Sequence, residues 1–305
     1  MPEQSNSPTA SETVYLIDAS IYIFRAWFGI PDHFFDDHQR PVNAVFGYLA
    51  VLLRFLAHAR PEKVVAAFDE SLFTGFRHQL YPGYKASRAL PDEALAYQLQ
   101  MCKTLTEWLG IGTVASPTYE ADDLIATIAR KRRLLGENVV ILSTDKDLAQ
   151  IVGSGDWLWD FHGDRWLDQQ TLQEHWGFPV SRIADYLALV GDAVDDIPGV
   201  PGVGAKTGRQ LLAHYNGLDE LYANLDQMGD LSLRGARRLK QRLLEHEQEA
   251  RLFYKLTLLR DTAKCRWGDK TVKLGFPDKR QLYAWWRASG LTRALRLDQY
   301  LADYE

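Results

Sequence analysis

Acidic side chains crowd into one short stretch of the sequence, where Glu120, Asp122 and Asp123 directly precede an apolar helical pattern. Carboxylates rarely cluster unless something compensates for their mutual repulsion, and the usual compensation is a cation. The same residues would also suit an ordinary helix start, because acidic side chains favour the positive N-terminal end of the helix dipole. The choice between a metal site and a plain helix start depends on whether carboxylates from elsewhere converge on this stretch.

Three short apolar runs in the sequence each lead into acidic residues. The runs are 14–17, followed by Asp18; 63–68, followed by Asp69; and 138–143, followed by Asp145 and Asp147. Such runs, separated by helical patterns over 43–60, 91–109 and 120–135, are typical of strands buried on both faces of a parallel sheet. Ligands of open α/β sheets bind in the crevice outside the carboxyl ends of the strands. We therefore expect these carboxylates to meet Glu120 at one edge of an α/β fold.

A further acidic cluster precedes a glycine-rich turn within 191–207, and it completes a set of nine candidate metal ligands. They are Asp18, Asp69, Glu120, Asp122, Asp123, Asp145, Asp147, Asp192 and Asp195. Carboxylate oxygens without accompanying Cys or grouped His select Mg²⁺ or Mn²⁺ over zinc. Two such ions about 3.5 to 4 Å apart are the standard device for displacement at phosphorus. The sequence has neither a His-Glu-x-x-His nor a Gly-x-Ser-x-Gly motif, which argues against zinc-hydrolase and serine-hydrolase chemistry.

The composition is that of an ordinary globular protein, with 46% hydrophobic and 25% charged residues among 305. No run approaches the ~18 apolar residues of a membrane span, and polar residues 1–12 indicate a disordered tail on a cytoplasmic protein. Cys102 and Cys265 lie far apart without metal-type spacing, which fits a reducing compartment. The net charge is −5, yet 71–90 and 199–242 are locally basic. These two patches could hold a polyanion beside the acidic pocket.

The glycine- and proline-rich turn at 199–207 runs into a helical pattern that continues to residue 214. It nearly matches a phosphate-binding P-loop, but Ala205 interrupts the required Gly-Lys pair and no strand precedes the segment. A better physical interpretation is a hairpin between helices whose exposed backbone N–H groups meet DNA phosphates at a helix N-terminus. A simple tight turn is the alternative. The DNA-binding residues predicted here are Gly202, Gly204, Lys206, Thr207 and Arg209.

An ordered series of motifs extends over about 14–260. Its members are Phe68-Asp69, Phe76-Arg77, Tyr81, Tyr84-Lys85, Arg88, 119–123, 144–148 and 191–207. Together they resemble the flap endonuclease or 5′ nuclease family, and within it most of all the 5′ to 3′ exonuclease domain of bacterial DNA polymerase I, here as a stand-alone protein. Because the motifs are multiple, ordered and correctly spaced, the resemblance is specific.

The resemblance implies a particular fold and a particular division of the acidic residues. The fold is a PIN-like α/β domain over 13–180, a mostly parallel sheet flanked by helices with a helical arch over 71–97. A helix-three-turn-helix (helix-hairpin-helix type) module over 185–246 follows, within a region 181–305 whose final part packs on the body. In the family's pattern the first ion is held by Asp18, Asp69, Glu120 and Asp122 with Asp123 beside it, and the second by Asp145, Asp147, Asp192 and Asp195.

Further roles are implied for the arch and the hairpin. Arg77, Tyr84, Lys85 and Arg88 would contact DNA, with Lys85 and Arg88 engaging the scissile phosphate. Family members also bind K⁺ through hairpin carbonyls, which implies Val200 and Val203 here. The implied function is that of a Mg²⁺-dependent 5′ to 3′ exonuclease and flap endonuclease in replication or repair, with Mn²⁺ as substitute. It would act as a monomer on DNA with a 5′ flap, a nick or a free 5′ end, with RNA as an alternative substrate.

Two positions depart from the family's pattern. Ala19 stands where glycine usually follows the first Asp, and Asp196 stands where Asn is common. Every acidic position is retained, which favours an active nuclease over a non-catalytic binder of branched DNA with a vestigial metal site. A PIN-type ribonuclease is a third interpretation, and it ranks last because such a domain needs neither the hairpin nor the long arch.

Overall fold

A six-stranded β-sheet forms the centre of the protein, for which the computed structural model describes residues 12–71, 73–230 and 235–302. The strands are β1 (Thr13–Asp18), β2 (Val64–Asp69), β3 (Gly112–Ser116), β4 (Asn138–Leu142), β5 (Trp157–Asp160) and β6 (Arg165–Asp168). Their order is β3-β2-β1-β4-β5-β6. All neighbours are parallel except β5 and β6. The predicted mostly parallel α/β sheet is confirmed, whereas residues 1–11 of the predicted tail lie outside the described residues.

Fourteen α-helices connect or follow these strands in the described part of the chain. They are α1 (Ala19–Gly29), α2 (Asn43–Ala59), α3 (Phe76–Leu80), α4 (Glu93–Trp108), α5 (Ala121–Arg133), α6 (Gln169–Trp176), α7 (Ile183–Val190), α8 (Ala205–His214), α9 (Leu218–Ala223), α10 (Ala236–Glu245), α11 (Glu247–Thr257), α12 (Asp269–Val272), α13 (Lys279–Ala288) and α14 (Leu297–Ala302). Within the described residues, no helix is both long and apolar enough to span a bilayer.

Two hydrophobic cores cover the two faces of the sheet. Because side chains alternate along a strand, Val14 and Leu16 of β1 enter one core while Tyr15 and Ile17 enter the other. The first core contains the apolar faces of α5, α7, α8 and α11. The second contains those of α1, α2 and α4. The strands therefore consist of near-continuous apolar residues, as predicted for a sheet buried on both sides.

The C-terminal segment from Leu282 onward belongs to this second core. Leu282 of α13, Leu291 and Leu297 are fully buried there, and Asp278 donates its backbone N–H to the carbonyl of Trp108 at 2.7 Å. These described residues near the end of the chain therefore pack against α2 and α4 on that face of the sheet. The first core likewise runs from β1 and α5 into α8 and α11, so the two predicted regions, 13–180 and 181–305, pack against each other.

The sheet order positions the site. The chain runs from β1 outward to β2 and β3, then returns to place β4 on the other side of β1. Helices on opposite faces leave a crevice at such a reversal, beyond the carboxyl ends of β1 and β4. Of the predicted arch, 71–97, only α3 and the start of α4 are helical, and residues 81–92 form turns and extended backbone. This non-helical segment lies over the crevice rather than standing away from it.

Candidate functional site

The carboxyl ends of β1 and β4 are joined by a serine. Asp18 ends β1 and caps α1, where its Oδ1 accepts the backbone N–H of Ile21 at 3.3 Å. Ser143, directly after β4, donates its hydroxyl to Asp18 Oδ2 at 2.8 Å. The Ser143 oxygen in turn accepts the backbone N–H of Asp145 at 3.0 Å. Asp145 Oδ1 accepts the backbone N–H of Asp147 at 2.8 Å, so one hydrogen-bonded series holds the carboxylates of Asp18 and Asp145 and the backbone of Asp147.

Two further strand and helix ends bring in Asp69 and Glu120. Asp69 ends β2, and its Oδ1 accepts the hydroxyl and the backbone N–H of Ser71 at 2.7 and 3.0 Å. Glu120 is the N-cap of α5 and is buried. Asp122 lies in the first turn of α5. Its pKa is raised well above the ordinary value by burial and by the charges of Asp145 and Asp18. The carboxylates of β1, α5 and the loop after β4 are therefore close neighbours.

The loop after α7 supplies the remaining predicted ligands. Asp192 is buried, with its Oδ2 2.7 Å from Lys146 Nζ. Asp195 Oδ2 lies 3.0 Å from the Tyr84 hydroxyl. Burial raises the pKa of Asp195, although Lys85 nearby opposes that shift. The structure thus brings eight of the nine predicted acids toward one crevice, from five separate segments of the chain.

The negative charge of several of these carboxyl groups is not balanced by positive charge nearby. Burial and the charge of Asp145, only partly offset by the Ser143 hydrogen bond, raise the pKa of Asp18 to about 7. Burial and the charges of Asp145, Asp195 and Asp192 raise the pKa of Asp147 to about 8. The Oδ1 atom of Asp147 is buried and has no hydrogen-bond partner. A buried, unpartnered carboxylate oxygen in a region of excess negative charge is suited to bind a cation.

The donor set fits a hard divalent ion, although the side chains are not gathered around one position. Within the described ranges, no three His, Cys, Asp or Glu side chains are grouped closely enough to hold an ion as they stand. All the candidate donors are nevertheless carboxylate oxygens, the ligands that Mg²⁺ and Mn²⁺ prefer. Raised carboxyl pKa values show where a positive charge would be stabilised. The residues present therefore fit the group that the sequence predicted.

Lys85 supplies much of the positive charge that the crevice does have. Its Nζ lies 2.9 Å from both carboxylate oxygens of Glu120 and 3.7 Å from Asp195 Oδ2. Arg88 Nη2 donates to Asp195 Oδ1 at 2.8 Å. Burial opposes ionisation of Glu120, but the charges of Lys85 and Arg77 outweigh it and lower its pKa to about 2. The two predicted arch cations are thus paired with two predicted metal ligands.

The prediction that Asp123 binds metal and Arg77 binds DNA is corrected by the structure. The two side chains form a bidentate ion pair, with Nη1 to Oδ2 at 2.6 Å and Nη2 to Oδ1 at 2.8 Å. Asp123 also accepts the backbone N–H groups of Glu120 and Arg260, while Arg77 donates to the carbonyls of Leu256 and Leu258. Both side chains are fully buried. Asp123 has no oxygen left for an ion and Arg77 has no face left for DNA.

Tyr84, also predicted to contact DNA, is buried beneath the same segment. Its hydroxyl lies 3.0 Å from Glu120 Oε2 and 3.0 Å from Asp195 Oδ2, and its single proton can be donated to only one of them at a time. Its ring belongs to the core that contains α5. The structure therefore corrects the role of Tyr84 from a DNA contact to a link between the N-cap of α5 and the loop after α7.

The predicted hairpin residues lie together on the surface at the start of α8. Gly204 is the N-cap of α8 and provides no side-chain hydrogen bond, and Lys206 and Arg209 are exposed in the first turns. Gly202 has a φ of +81°, and the guanidinium of Arg242 packs where a Cβ would stand. The carbonyl of Val200 accepts the N–H of Val203 at 3.0 Å. Their predicted roles in binding DNA and K⁺ stay predictions.

Sequence reasoning missed several residues that organise the site. Ser143 and Ser71 orient Asp18 and Asp69, Lys146 neutralises Asp192, and Asp196 accepts the backbone N–H of Ser87 at 2.8 Å. The serines were detectable in principle, because each follows an apolar strand pattern within three residues of a predicted ligand. Lys146 and Asp196 carried no comparable signal, since their partners are distant in the sequence.

Comparison with protein families covers nearly the whole described chain. Residues 13–177 match a model described as "5′-3′ exonuclease, N-terminal resolvase-like domain". Residues 178–280 match one described as "5′-3′ exonuclease, C-terminal SAM fold".

Individual relatives agree with these models. A 5′-3′ exonuclease of Aquifex aeolicus is 32% identical over 89% of this chain and 90% of its own. One from Buchnera aphidicola subsp. Acyrthosiphon pisum is 30% identical over 81% and 86%. DNA polymerase I of Rhizobium leguminosarum is 37% identical over 68% of this chain. The match spans 21% of that polymerase, so the resemblance to it concerns about a fifth of its length.

Solved structures share the fold at lower identity. T5 5′-exonuclease with bound zinc ions superposes with a TM-score of 0.61 at 22% identity, over 81% of this chain and 90% of that one. The catalytic core of Rad2 in complex with DNA substrate superposes with a TM-score of 0.63 at 16% identity, over 98% and 95%. At these identities the likeness is one of fold.

Proposed function

The chain belongs to the 5′-3′ exonuclease family of nucleases, and from that premise we propose that it is a divalent-metal-dependent, structure-specific 5′ nuclease. The proposed reaction is hydrolysis of DNA phosphodiesters at free 5′ ends, at nicks and at junctions with a 5′ single-stranded flap. Mg²⁺ is the proposed ion, with Mn²⁺ as substitute, and the protein acts as a monomer.

One observation carries the proposal. Carboxylates from five segments lie around the crevice beyond the carboxyl ends of β1, β2 and β4, and the pKa values of Asp18, Asp122 and Asp147 are raised there by burial and mutual repulsion. A protein gains nothing in stability from such repulsion, because each buried charge without a partner costs free energy. A site that binds cations is the simplest reason to retain it.

In the proposed site the acidic residues serve two ions. Asp18, Asp69, Glu120 and Asp122 would hold one ion, and Asp145, Asp147, Asp192 and Asp195 a second. When bound, a pair of such ions supplies an activated water and Lewis-acid stabilisation of the leaving oxygen. The hydrogen bonds from Ser143 to Asp18 and from Ser71 to Asp69 fix the orientation of two of these carboxylates. Fixed ligands avoid the cost of reorganising the site during the reaction.

Lys85 and Arg88 are the proposed donors to a phosphate bound at the crevice. Lys85 now donates to Glu120, and Arg88 to Asp195. A scissile phosphate accepts hydrogen bonds from cations as these carboxylates do. When metal ions bind the carboxylates, Lys85 and Arg88 would therefore donate to the phosphate instead. Positive charge held at this point would stabilise the charge that develops on the phosphate in the transition state.

The hairpin before α8 supplies the proposed contact with duplex DNA. The backbone N–H groups beyond Gly204 are at a helix N-terminus, the part of a helix that attracts phosphate. Thr207, Lys206 and Arg209 follow within the first turns. Carbonyls of Val200 and Val203 are the proposed ligands of a K⁺ ion at this hairpin. These contacts carry no sequence information, which suits an enzyme that recognises DNA structure.

The test is cleavage of labelled 5′-flap, nicked and single-stranded DNA with Mg²⁺ and then with EDTA, for the wild type and the variant Asp145→Asn. We expect the wild type to cut the flap and nicked substrates only with Mg²⁺. Asp145→Asn should lose at least about a hundredfold in cleavage rate, as expected for a group that stabilises the transition state electrostatically, while it still binds flap DNA.

Asp164→Asn is the matched control, since Asp164 is exposed in the turn between β5 and β6 and Asn tolerates its φ of +48°. Its cleavage rate should equal that of the wild type. Binding of flap DNA without cleavage in Mg²⁺ or Mn²⁺ would instead identify a non-catalytic binder of branched DNA. Cleavage confined to RNA substrates would identify a ribonuclease.

A further inference from the structure

A groove of about 810 Å³ lies beside the edge strand β3. Its walls are the outer sides of α4 and α5 together with the segment 261–266, which has no regular secondary structure. Small residues of β3 and its neighbours, Ala115, Ser116, Pro117 and Ala263, line part of it. None of the residues assigned above to metal or DNA lines this groove.

The groove carries an excess of positive charge in a protein whose net charge is −5. Five basic residues line it against two acidic ones. The basic residues are Lys103, Arg130, Lys131, Lys264 and Arg266, and the acidic ones are Glu70 and Asp261. Lys103 pairs with Glu70 at 2.5 Å and Arg130 with Asp261 at 3.3 Å. The groove therefore favours an anionic ligand.

Three of the five cations make no ion pair among the described residues, and one of them, Lys131, lies over the Trp267 ring at 4.9 Å, which leaves two for such a ligand. Lys264 and Arg266 are exposed, and in the described part of the chain neither makes an ion pair. Their segment is nevertheless fixed to α5, because the backbone N–H of Ala263 donates to Thr127 Oγ1 at 2.9 Å and that hydroxyl donates to the carbonyl of Arg260 at 3.0 Å. The two side chains thus project from an anchored backbone.

The groove begins at the acidic crevice. Glu70, on its rim, directly follows the predicted ligand Asp69, and Ser116 and Pro117 lead to Glu120 within four residues. The backbone N–H of Phe76 donates to the carbonyl of Thr118 at 3.0 Å, so the start of α3 is attached at the same place. Ser116 pairs in register with Asp69, so one end of the groove lies at the same carboxyl edge of the sheet as the crevice.

We propose that this groove binds the phosphodiester backbone of single-stranded DNA that runs away from the cleavage site. The proposal rests on the proposed function, because it places the ligand by its continuity with the DNA cut in the crevice. Lys264 and Arg266 would each neutralise a phosphate, and the small residues of the β3 edge leave room for the sugar backbone. Binding of this kind is sequence-independent and releases counterions, at about 0.7 per phosphate for a single strand.

The test compares nicked DNA with flap DNA that carries a short or a long 5′ single strand. Affinities of the wild type and of the double variant Lys264→Ala/Arg266→Ala are measured by fluorescence anisotropy, with Ca²⁺ in place of Mg²⁺ to suppress cleavage. We expect the double variant to bind the long flap about 5- to 25-fold more weakly at 0.1 M salt, since each lost phosphate contact is worth about fivefold there. Its binding to nicked DNA should be unchanged.

The salt dependence gives a second readout that unfolding would not mimic. For the long flap, the slope of log K against log salt should fall by about 1.4 in the double variant. The double variant Arg280→Ala/Arg293→Ala is the matched control, because both arginines are exposed on the C-terminal segment that packs on the opposite face of the sheet. It removes the same charge and should leave long-flap binding as in the wild type.

Two results would overturn the proposal: long-flap affinity unchanged in the groove variant, or an equal loss for both double variants. Binding of poly-glutamate that depends on Lys264 and Arg266, with DNA binding independent of them, would assign the groove to an acidic protein segment instead. Failure of the proposed function looks different, since the wild type would then fail to cut nicked DNA in Mg²⁺.

Discussion

Neighbouring acids in the first turn of α5 have opposite roles. Asp123 has all its acceptor capacity satisfied by Arg77 and by two backbone N–H groups, and it is fully buried. Asp122, one residue earlier, has a pKa raised by burial and by the charges of Asp145 and Asp18. The first side chain therefore stabilises the fold, while the second is destabilising until a cation compensates it.

Replacing each of these acids by its isosteric amide should shift stability in opposite directions. Asp123→Asn leaves the buried Arg77 guanidinium without its counter-charge and turns an amide N–H₂ toward it. We expect a loss of about 3 to 5 kcal/mol in the free energy of unfolding. Asp122→Asn removes a repelled carboxyl and should increase the free energy of unfolding in the absence of divalent ions. Urea unfolding in EDTA measures both.

The effects of the two substitutions on cleavage should be opposite to their effects on stability. Asp122→Asn loses a proposed metal ligand and should cleave flap DNA far more slowly than the wild type, whereas folded Asp123→Asn should retain cleavage below its unfolding temperature. Equal destabilisation by the two substitutions would contradict the assignment of Asp123 to Arg77.

The spacing of residues in α5 could not distinguish these roles from sequence. The sequence counted Glu120, Asp122 and Asp123 all as ligands, with Asp123 only beside the first ion, because nothing local marks Arg77 as the partner of Asp123. The two residues are 46 positions apart, and the family resemblance placed Arg77 on the arch. The Ser143 hydroxyl, in contrast, follows directly from the predicted strand end, and its role was within reach of the sequence.

At the scale of elements, the segment between α3 and α4 is fastened to the acidic crevice. Besides the side-chain pairs of Lys85 and Arg88, the backbone N–H of Lys85 donates to the carbonyl of Asp195 at 3.0 Å, and that of Ser87 donates to Asp196 at 2.8 Å. Lys85 has a φ of +51° and Asp196 one of +55°. Non-glycine residues in this left-handed region are strained, so the contacts with the crevice must hold them there.

Divalent ions should loosen this segment, because they compete with Lys85 and Arg88 for Glu120 and Asp195. We expect trypsin to cut after Lys85 or Arg88 faster when Ca²⁺ is added, with cleavage sites followed by mass spectrometry over time. Sites elsewhere, such as the exposed Arg293, serve as the internal control and should keep their rates. Slower cleavage after Lys85 with Ca²⁺ would show that the ions order the segment instead.

The sequence predicted the three central strands of the sheet, which are buried on both faces. The runs that became β1, β2 and β4 are almost wholly apolar and were located to within a residue or two. The strands β3, β5 and β6 were missed. Two of them, β3 and β6, are the edges of the sheet, where β3 is only partly buried and β6 exposes Arg165 and Trp166. Their strand conformation comes from pairing with a neighbour, and a single sequence does not show that neighbour.

At the scale of the whole molecule, charge repulsion among the crevice carboxylates destabilises the native state, and the rest of the fold must compensate for it. The ordinary pKa of an Asp side chain is about 4, whereas that of Asp18 is raised to about 7 and that of Asp147 to about 8 by burial and neighbouring charge. Between about pH 4 and about pH 8, the native protein therefore binds more protons than the unfolded chain. Asp36 and Asp160 have lowered pKa values, because backbone and side-chain hydrogen bonds outweigh the effect of burial. Their ionisation therefore changes the stability only below this pH range.

The stability of the metal-free protein should therefore fall as pH rises from about 5 to about 8. A carboxyl whose folded-state pKa is raised contributes stability that is present below its unfolded pKa and lost as pH passes through its folded pKa. Urea midpoints in EDTA at several pH values measure this decline. Mg²⁺ should reverse this decline near pH 8, because it binds the ionised carboxylates of the native state and not the unfolded chain.

Asp147→Asn should flatten the pH profile of stability and weaken the Mg²⁺ effect, and Asp164→Asn should leave both intact. Stability that rises across this range in EDTA would mean that the crevice acids are already compensated by the protein's own cations, Lys85 and Lys146 foremost.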